Sequence, residues 1–188
     1  MEIEEILTLQ VPFLKEPALK ADLVREAKLV TVEAGTPILK DGQYVKTVPL
    51  LVNGLVKVVK QEGEKEILLY YIYPLESCIV SIHCGINDLK SKVKAIAEEA
   101  STALLLPAHQ VGQWQQQYLS FNQFVLNLYQ KRFEDVLDAF NALAFQSLDD
   151  RMITYLEAKA RALGHNKLKM THQDLADELG SARETVSR

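Results

Sequence analysis

Three positions near the end of the chain constrain it most. Within Met170–Arg188, Ala176 stands four residues before Gly180, and Val186 six residues after it. Two helices crossing at a steep angle need a small side chain where they touch, and Ala176 supplies one. The tight turn between them needs a residue that accepts φ > 0, and Gly180 is that residue. Leu175, Leu179 and Val186 provide the apolar faces that pack the pair. Behind the turn come Ser181, Arg183, Glu184, Thr185, Ser187 and Arg188, residue types that contact phosphates and base edges. Thr171 is placed to cap the first helix. The pattern is a helix-turn-helix, and it predicts that the chain reads double-stranded DNA.

The second helix of this unit spans only 182–188. Helices so short are marginal alone, so the natural protein is expected to continue past Arg188 and the unit to be incomplete as it stands. A formal charge of −4 disfavours nonspecific polyanion binding by the whole molecule. It leaves room for a basic tip, because DNA contact depends on the charge of one face. Residues 1–5 are acidic rather than cationic, and no apolar run reaches the roughly eighteen residues of a membrane span. With only two cysteines, the expectation is a cytoplasmic protein with no membrane partner and no disulfide framework.

Upstream, Leu19, Leu23 and Ala27 repeat every four residues and predict one short amphipathic helix. From Lys28 to about Pro107 the pattern is that of strands. Val30 and Val32 alternate with polar residues, and Gly35-Thr36 and Asp41-Gly42 are turn signals. Leu50–Val52, Asn53-Gly54 and Leu55–Val59 predict a hairpin, since Asn-Gly suits a type I′ turn. A second hairpin is expected with Glu62-Gly63-Glu64 as its loop and residues 67–73 returning, then strands at 93–97 and 102–106. Many short strands at such spacing make a β-sandwich or barrel.

After Pro107 the period becomes helical. A short helix is expected at 109–118 around Trp114, then a long one at 121–145. Phe121, Val125, Leu128, Arg132, Val136, Ala139 and Leu143 form one stripe along it, and Phe124, Phe133, Leu137 and Phe140 a second. Two adjacent stripes ask for two partners: the β-domain of the same chain and a twin helix. The first stripe is the expected homodimer interface. Ser147 or Asp149 can cap the following helix, whose face is Ile153, Leu156, Ala160 and Leu163 and whose stop is Gly164. Residues 165–169 connect it to the terminal unit.

A β-roll, a long striped helix, a capped helix opened by Leu148-Asp149-Asp150-Arg151-Met152, and the Thr171–Arg188 unit together resemble the Crp/Fnr family of bacterial transcription regulators. The resemblance spans essentially the whole chain. It implies an α+β fold: an antiparallel β-roll of the double-stranded jelly-roll type, a dimerisation helix, and a winged-helix-type helix-turn-helix. The implied division is 1–118 for the cyclic-nucleotide-binding-like sensor, 119–146 for dimerisation and 147–188 for DNA. It further implies a non-enzymatic homodimer on a palindromic operator, with RNA polymerase as a further partner. By position, Arg183, Glu184 and Arg188 are the residues that reach base edges. Their chemistry agrees, since Arg pairs with guanine O6/N7 and Glu accepts from cytosine N4.

The sensor half departs from the cyclic-AMP-binding pattern. Members that bind cyclic AMP carry Gly-Glu and Arg-Ser around the cyclic phosphate. Here Leu75 stands where the glycine would, and residues 89–94 offer lysines but no arginine. A lysine lacks the bidentate fork, so the expected effector is something other than cyclic AMP. Glu76, Ser77, Cys78 and Lys92 remain as candidate effector contacts. Without an N-terminal cysteine group, the iron–sulfur cluster of Fnr-like members is not expected. Cys78, His83 and Cys84 could bind a metal or form a thiol switch, but a buried Cys78 packing beside Ile79 and Val80 is the expected arrangement. No metal and no cofactor are implied. Two other functions compete. A cupin-like metal enzyme would want a His-x-His cluster, whereas His83 alone precedes Pro107. A small-molecule-binding module with degenerate DNA binding would differ from a regulator by failing to retain palindromic DNA.

Overall fold

The computed structural model describes residues 2–63, 65–145 and 147–187, with side chains for all of these except Glu62, Lys65, Ala139, Ala142, Leu143 and Ala144. Seven strands lie in chain order: β1 (Lys28–Val32), β2 (Pro37–Leu39), β3 (Thr47–Asn53), β4 (Val56–Glu62), β5 (Lys65–Ile72), β6 (Lys94–Ala97) and β7 (Ser101–Pro107). They form two antiparallel sheets, ordered β1-β7-β3 and β2-β6-β4-β5. Between them Leu51, Val58, Ile72, Ala95 and Ala103 pack with Cys78 and Cys84. This is the expected β-roll.

Helices α1 (Ile3–Leu9), α2 (Pro17–Glu26), α3 (Ile79–Ile86), α4 (Ala108–Gln117) and α5 (Leu119–Phe145) surround it. Ile6, Leu19, Leu23, Trp114 and Phe121 close a second core against Leu50 and Leu104. Strand β3 is therefore covered on both faces, which explains its unbroken apolar run rather than an alternating one. Its residues Val48 to Val52 are all buried. Ala27 falls outside α2 as its C-cap. Helix α3, across Cys78 to Cys84, has no sequence-based counterpart above.

The Asn53-Gly54 hairpin is corrected. β3 pairs with β7, whereas β4 pairs with β5 and β6, so the chain at Gly54 crosses from one sheet to the other. Gly54 has φ +98°, and a Cβ there would lie 2.7 Å from Cα of Ser101. The glycine is needed for this close approach and not for a two-residue turn. Gly54→Ala is expected to destabilise the protein by about 2–4 kcal/mol, combining left-handed backbone strain with overpacking; chemical denaturation measures it. The second hairpin forms with a shorter loop than expected: Glu62 ends β4 and pairs with Lys65, β5 returns over Lys65–Ile72 rather than 67–73, and a bulge lies between Val58 and Val59; Glu64 of its loop lies outside the described residues.

Helix α5 corrects the expected dimer stripe. Phe121, Val125, Leu128 and Arg132 are at most 5% exposed within their own chain. The N-terminal half of α5 leans on the roll, so this stripe is used internally. Val136 is exposed, and the side chains of Ala139 and Leu143 lie outside the described residues. Among the described side chains of α5, the large apolar residues left in solvent are Leu119, Leu126, Tyr129, Phe133, Val136, Leu137, Phe140 and Phe145. Leu126, Tyr129, Phe133, Val136 and Phe140 alternate spacings of three and four, which is the a/d repeat of a coiled-coil seam.

Past Gln146, α6 (Leu148–Leu163), α7 (His172–Glu178) and α8 (Arg183–Val186) complete the chain. Ser147 is the cap of α6, accepting from the Asp150 amide, and Gly164 at φ +70° ends it. Among the described residues no helix is long and apolar enough to cross a membrane.

Candidate DNA-reading unit and its links to the roll

The C-terminal unit has its own small core. Leu175, Ala176 and Val186 are buried against Leu148, Met152, Tyr155, Leu156, Met170 and Leu179. Ala176 is fully buried at the helix contact, and Gly180 turns the chain at φ +61°. Arg151 of α6 donates to the Leu179 carbonyl at 2.6 Å, satisfying an acceptor that the end of α7 leaves open. Ser181 donates its amide to the Ala176 carbonyl at 2.8 Å. Thr171 and Asp174 form a capping box: the Thr171 hydroxyl accepts from the Asp174 amide and the Asp174 carboxylate from the Thr171 amide. Those hydrogen bonds hold the Asp174 carboxyl below its ordinary value.

These contacts sort the expected DNA-binding residues. The Thr171 hydroxyl serves the cap, and the Ser187 hydroxyl lies 3.0 Å from Nδ1 of His172. Ser181 is half-buried, while Arg183, Glu184 and Thr185 are exposed on α8. Arg188 lies outside the described residues.

The expected effector residues do not form one cluster. Ser77 is buried and donates to the Pro49 carbonyl at 2.6 Å. Cys78 is fully buried with its sulfur 3.6 Å from the Tyr70 hydroxyl. Lys92 is exposed. His83 sits exposed on α3, and Cys84 is buried, with burial pushing its thiol pKa up. Among the described residues no group of three His, Cys, Asp or Glu is placed to hold a metal.

Glu76 has partners that sequence reading missed. It follows Leu75, whose φ of +70° is a glycine-favouring conformation held here by a leucine. Its carboxylate accepts from Arg132 of α5 at 2.7 Å and from Lys131. Arg132 also donates to the Tyr71 carbonyl at 3.0 Å, pairs with Asp135 at 2.9 Å, and lies 4.6 Å over the Tyr70 ring. Its Nε is buried with no hydrogen-bond partner. The arginine placed in the apolar stripe of α5 is thus the bolt between that helix and the loop that carries Glu76.

A second link joins the roll to the C-terminal unit. Lys57 of β4 lies 3.5 Å from Glu98 and 3.8 Å from Glu178 at the end of α7. Lys159 of α6 lies 2.9 Å from Glu98 and 3.8 Å from Glu178. Burial works against the charged form of Glu98, but Lys159 and Lys57 outweigh it and hold its pKa below the ordinary value. Lys159 is likewise opposed by burial and carried above its ordinary value by Glu98, Tyr71 and Glu178. The carboxylate contribution is present above the ordinary carboxylate pKa and lost as pH falls through the lowered one. The lysine contribution is present below the ordinary lysine pKa and lost only as pH rises through the raised one. Glu98 and Lys159 are therefore both charged at neutral pH.

A roll, a long helix with an exposed apolar seam, and a helix-turn-helix presenting arginine and glutamate define a DNA-binding regulator. A model of the Crp family of bacterial regulatory proteins matches residues 168–188. The fold is shared with a protein of Eubacterium rectale described as a crp/fnr-family regulator, at 25% identity and a TM-score of 0.81, covering 92% of this chain and 81% of that one. It is shared with the c-di-GMP-responsive global regulator CLP of Xanthomonas campestris (19% identity, TM-score 0.74, 90% and 87% covered). A Crp/Fnr-family regulator of Thermus thermophilus is also similar (21% identity, TM-score 0.72, 85% and 82% covered). A search of curated proteins found no matching relative. Residues 168–188 thus match the Crp family, and the chain as a whole shares the fold of Crp/Fnr-type transcription regulators.

Proposed function

We propose that the chain acts in the cytoplasm as a homodimer that reads a two-fold-symmetric DNA operator, and that its roll responds to an effector other than cyclic AMP. The observation that carries the reading is the exposure of Arg183 and Glu184 at the head of α8, on a unit otherwise packed and capped. In a dimer the two such heads must sit about 34 Å apart to enter successive major grooves. The exposed seam of α5 supports a twin helix as the partner. Residues 1–118 then sense, 119–146 dimerise and 147–188 read DNA; contact with RNA polymerase follows from the family resemblance. Against cyclic AMP stand Leu75, the missing loop arginine and the engagement of Glu76 by Arg132.

The test is selection of DNA by the intact protein from a random palindromic pool, followed by affinity measurement over a range of salt. A defined half-site is expected. Arg183→Ala should cost about 1–3 kcal/mol and relax the preference at one base position. Retention of DNA without sequence preference would sink the proposal and favour a small-molecule-binding module.

A further inference from the structure

We infer that Lys57 and Glu98 of the roll are positioning residues for DNA reading: with Lys159 and Glu178 they close a four-charge ring that seats the helix-turn-helix on the roll of its own subunit. The inference rests on α7 and α8 being the DNA-reading unit.

The charges alternate around the ring, so each lysine lies within 4 Å of both carboxylates. Two come from the roll and two from the C-terminal unit. All four side chains are largely withdrawn from water, Lys159 down to 9% exposure. Exposed ion pairs contribute little, whereas breaking a desolvated one leaves a buried charge uncompensated and is strongly destabilising.

Helix α7 also rests on β5 of the roll, but the two bodies do not share one apolar core. The helix-turn-helix core around Leu175 and Ala176 is distinct from both clusters of the roll. That unit can stay folded when the ring opens; what it loses is its pose. Glu178 itself keeps Oε2 buried without a hydrogen-bond partner, so the ring is not fully satisfied, and such a network is costlier to hold closed. Arg183, Glu184 and Thr185 remain exposed while the ring is closed, so the seated pose leaves the reading residues free. Opening the ring spreads the unit over many poses, and apparent DNA affinity falls with the fraction that keeps the right one.

Charge reversal by pairs tests this in the full chain. Lys57→Glu with Glu98→Lys keeps the net charge and the attraction within the roll, but sets like charges against Glu178 and Lys159. Lys159→Glu with Glu178→Lys does the same from the other side. All four changes together restore the alternation. Labels at Lys40→Cys and Lys167→Cys, both exposed positions, report the distance between roll and reading unit. The native Cys78 and Cys84 are buried and leave labelling to the new thiols; dilution into unlabelled protein removes distances between subunits.

The free wild-type protein and the fourfold variant should give one narrow distance distribution, and each pairwise reversal a broad one. Affinity for DNA selected by the wild-type protein should fall about tenfold in each pairwise reversal and return in the fourfold variant, if a tenth of molecules keep the pose. The salt slope should stay unchanged, because no ring residue neutralises a phosphate. Narrow distributions in the pairwise reversals, no restoration by the fourfold change, or affinity that does not weaken when the distances broaden would each overturn the inference. Failure of the wild-type protein to select any DNA would instead strike the functional reading, while the distances still decide whether the ring holds the unit.

Discussion

Phe133→Asp is expected to convert the protein from dimer to monomer at micromolar concentration and to abolish selective DNA retention with it. Phe133 is 64% exposed in the single chain and sits at the middle of the Leu126, Tyr129, Phe133, Val136, Phe140 repeat. Burying a phenylalanine contributes about 1.5–3 kcal/mol, and a two-fold axis counts each substitution twice. A loss of roughly 3–6 kcal/mol raises the dimer dissociation constant about 10²–10⁴-fold. The added carboxylate has no partner in such a seam and deepens the loss. Because Phe133 is exposed in the monomer, the fold should survive, which circular dichroism checks. Sedimentation then reads the association state. The control is Phe121→Leu, a substitution on the face turned to the roll, which should lower stability and leave association unchanged. A Phe133→Asp protein that stays dimeric would remove α5 as the interface.

A helix with two apolar faces does not show in its sequence which of them meets its own core. Phe121, Val125, Leu128 and Arg132 step by four, three and four along the helix, and Tyr129, Phe133, Val136 and Phe140 step by four, three and four as well. Spacing therefore does not tell the buried stripe from the exposed one. Both stripes are visible in the residues. Their owners are not, because apolarity says that a face is covered and nothing about what covers it.

The same limit explains Asn53-Gly54. The flanking runs carry every local mark of a hairpin, and the glycine does adopt positive φ. What decides against the hairpin is Ser101, which approaches Gly54 from across the roll although it lies forty-seven positions further along the chain. By contrast the C-terminal unit was readable almost residue by residue. Its caps, its turn glycine and its helix contact are local, set by spacings under ten residues. The ring and the Glu76–Arg132 pair were invisible for the opposite reason: each joins charges from distant segments, and a charged residue in sequence looks solvated until its partner is placed.

Arg132→Met should cost about 3–5 kcal/mol of stability, the usual penalty for breaking a buried ion pair by removing one partner. Methionine keeps most of the apolar stem in place, so the loss reports the guanidinium rather than a cavity. It releases the Tyr71 carbonyl and half of the Glu76 carboxylate, both withdrawn from water. Lys131 still reaches Glu76 and should keep the cost toward the lower end. Adding Glu76→Gln to Arg132→Met should recover part of the loss, because the remaining charge is removed together with its missing partner. Denaturant unfolding of both variants measures the coupling. If Arg132→Met is neutral and the double variant no better, the pair is ornamental and α5 is held to the roll by its apolar face alone. If the coupling is large, Glu76 is committed to the helix, and any effector that uses this carboxylate has to displace a guanidinium to reach it. Binding in the roll would then loosen or redirect α5 directly, which would place the sensing event and the proposed dimer seam on one helix, at the adjacent residues Arg132 and Phe133.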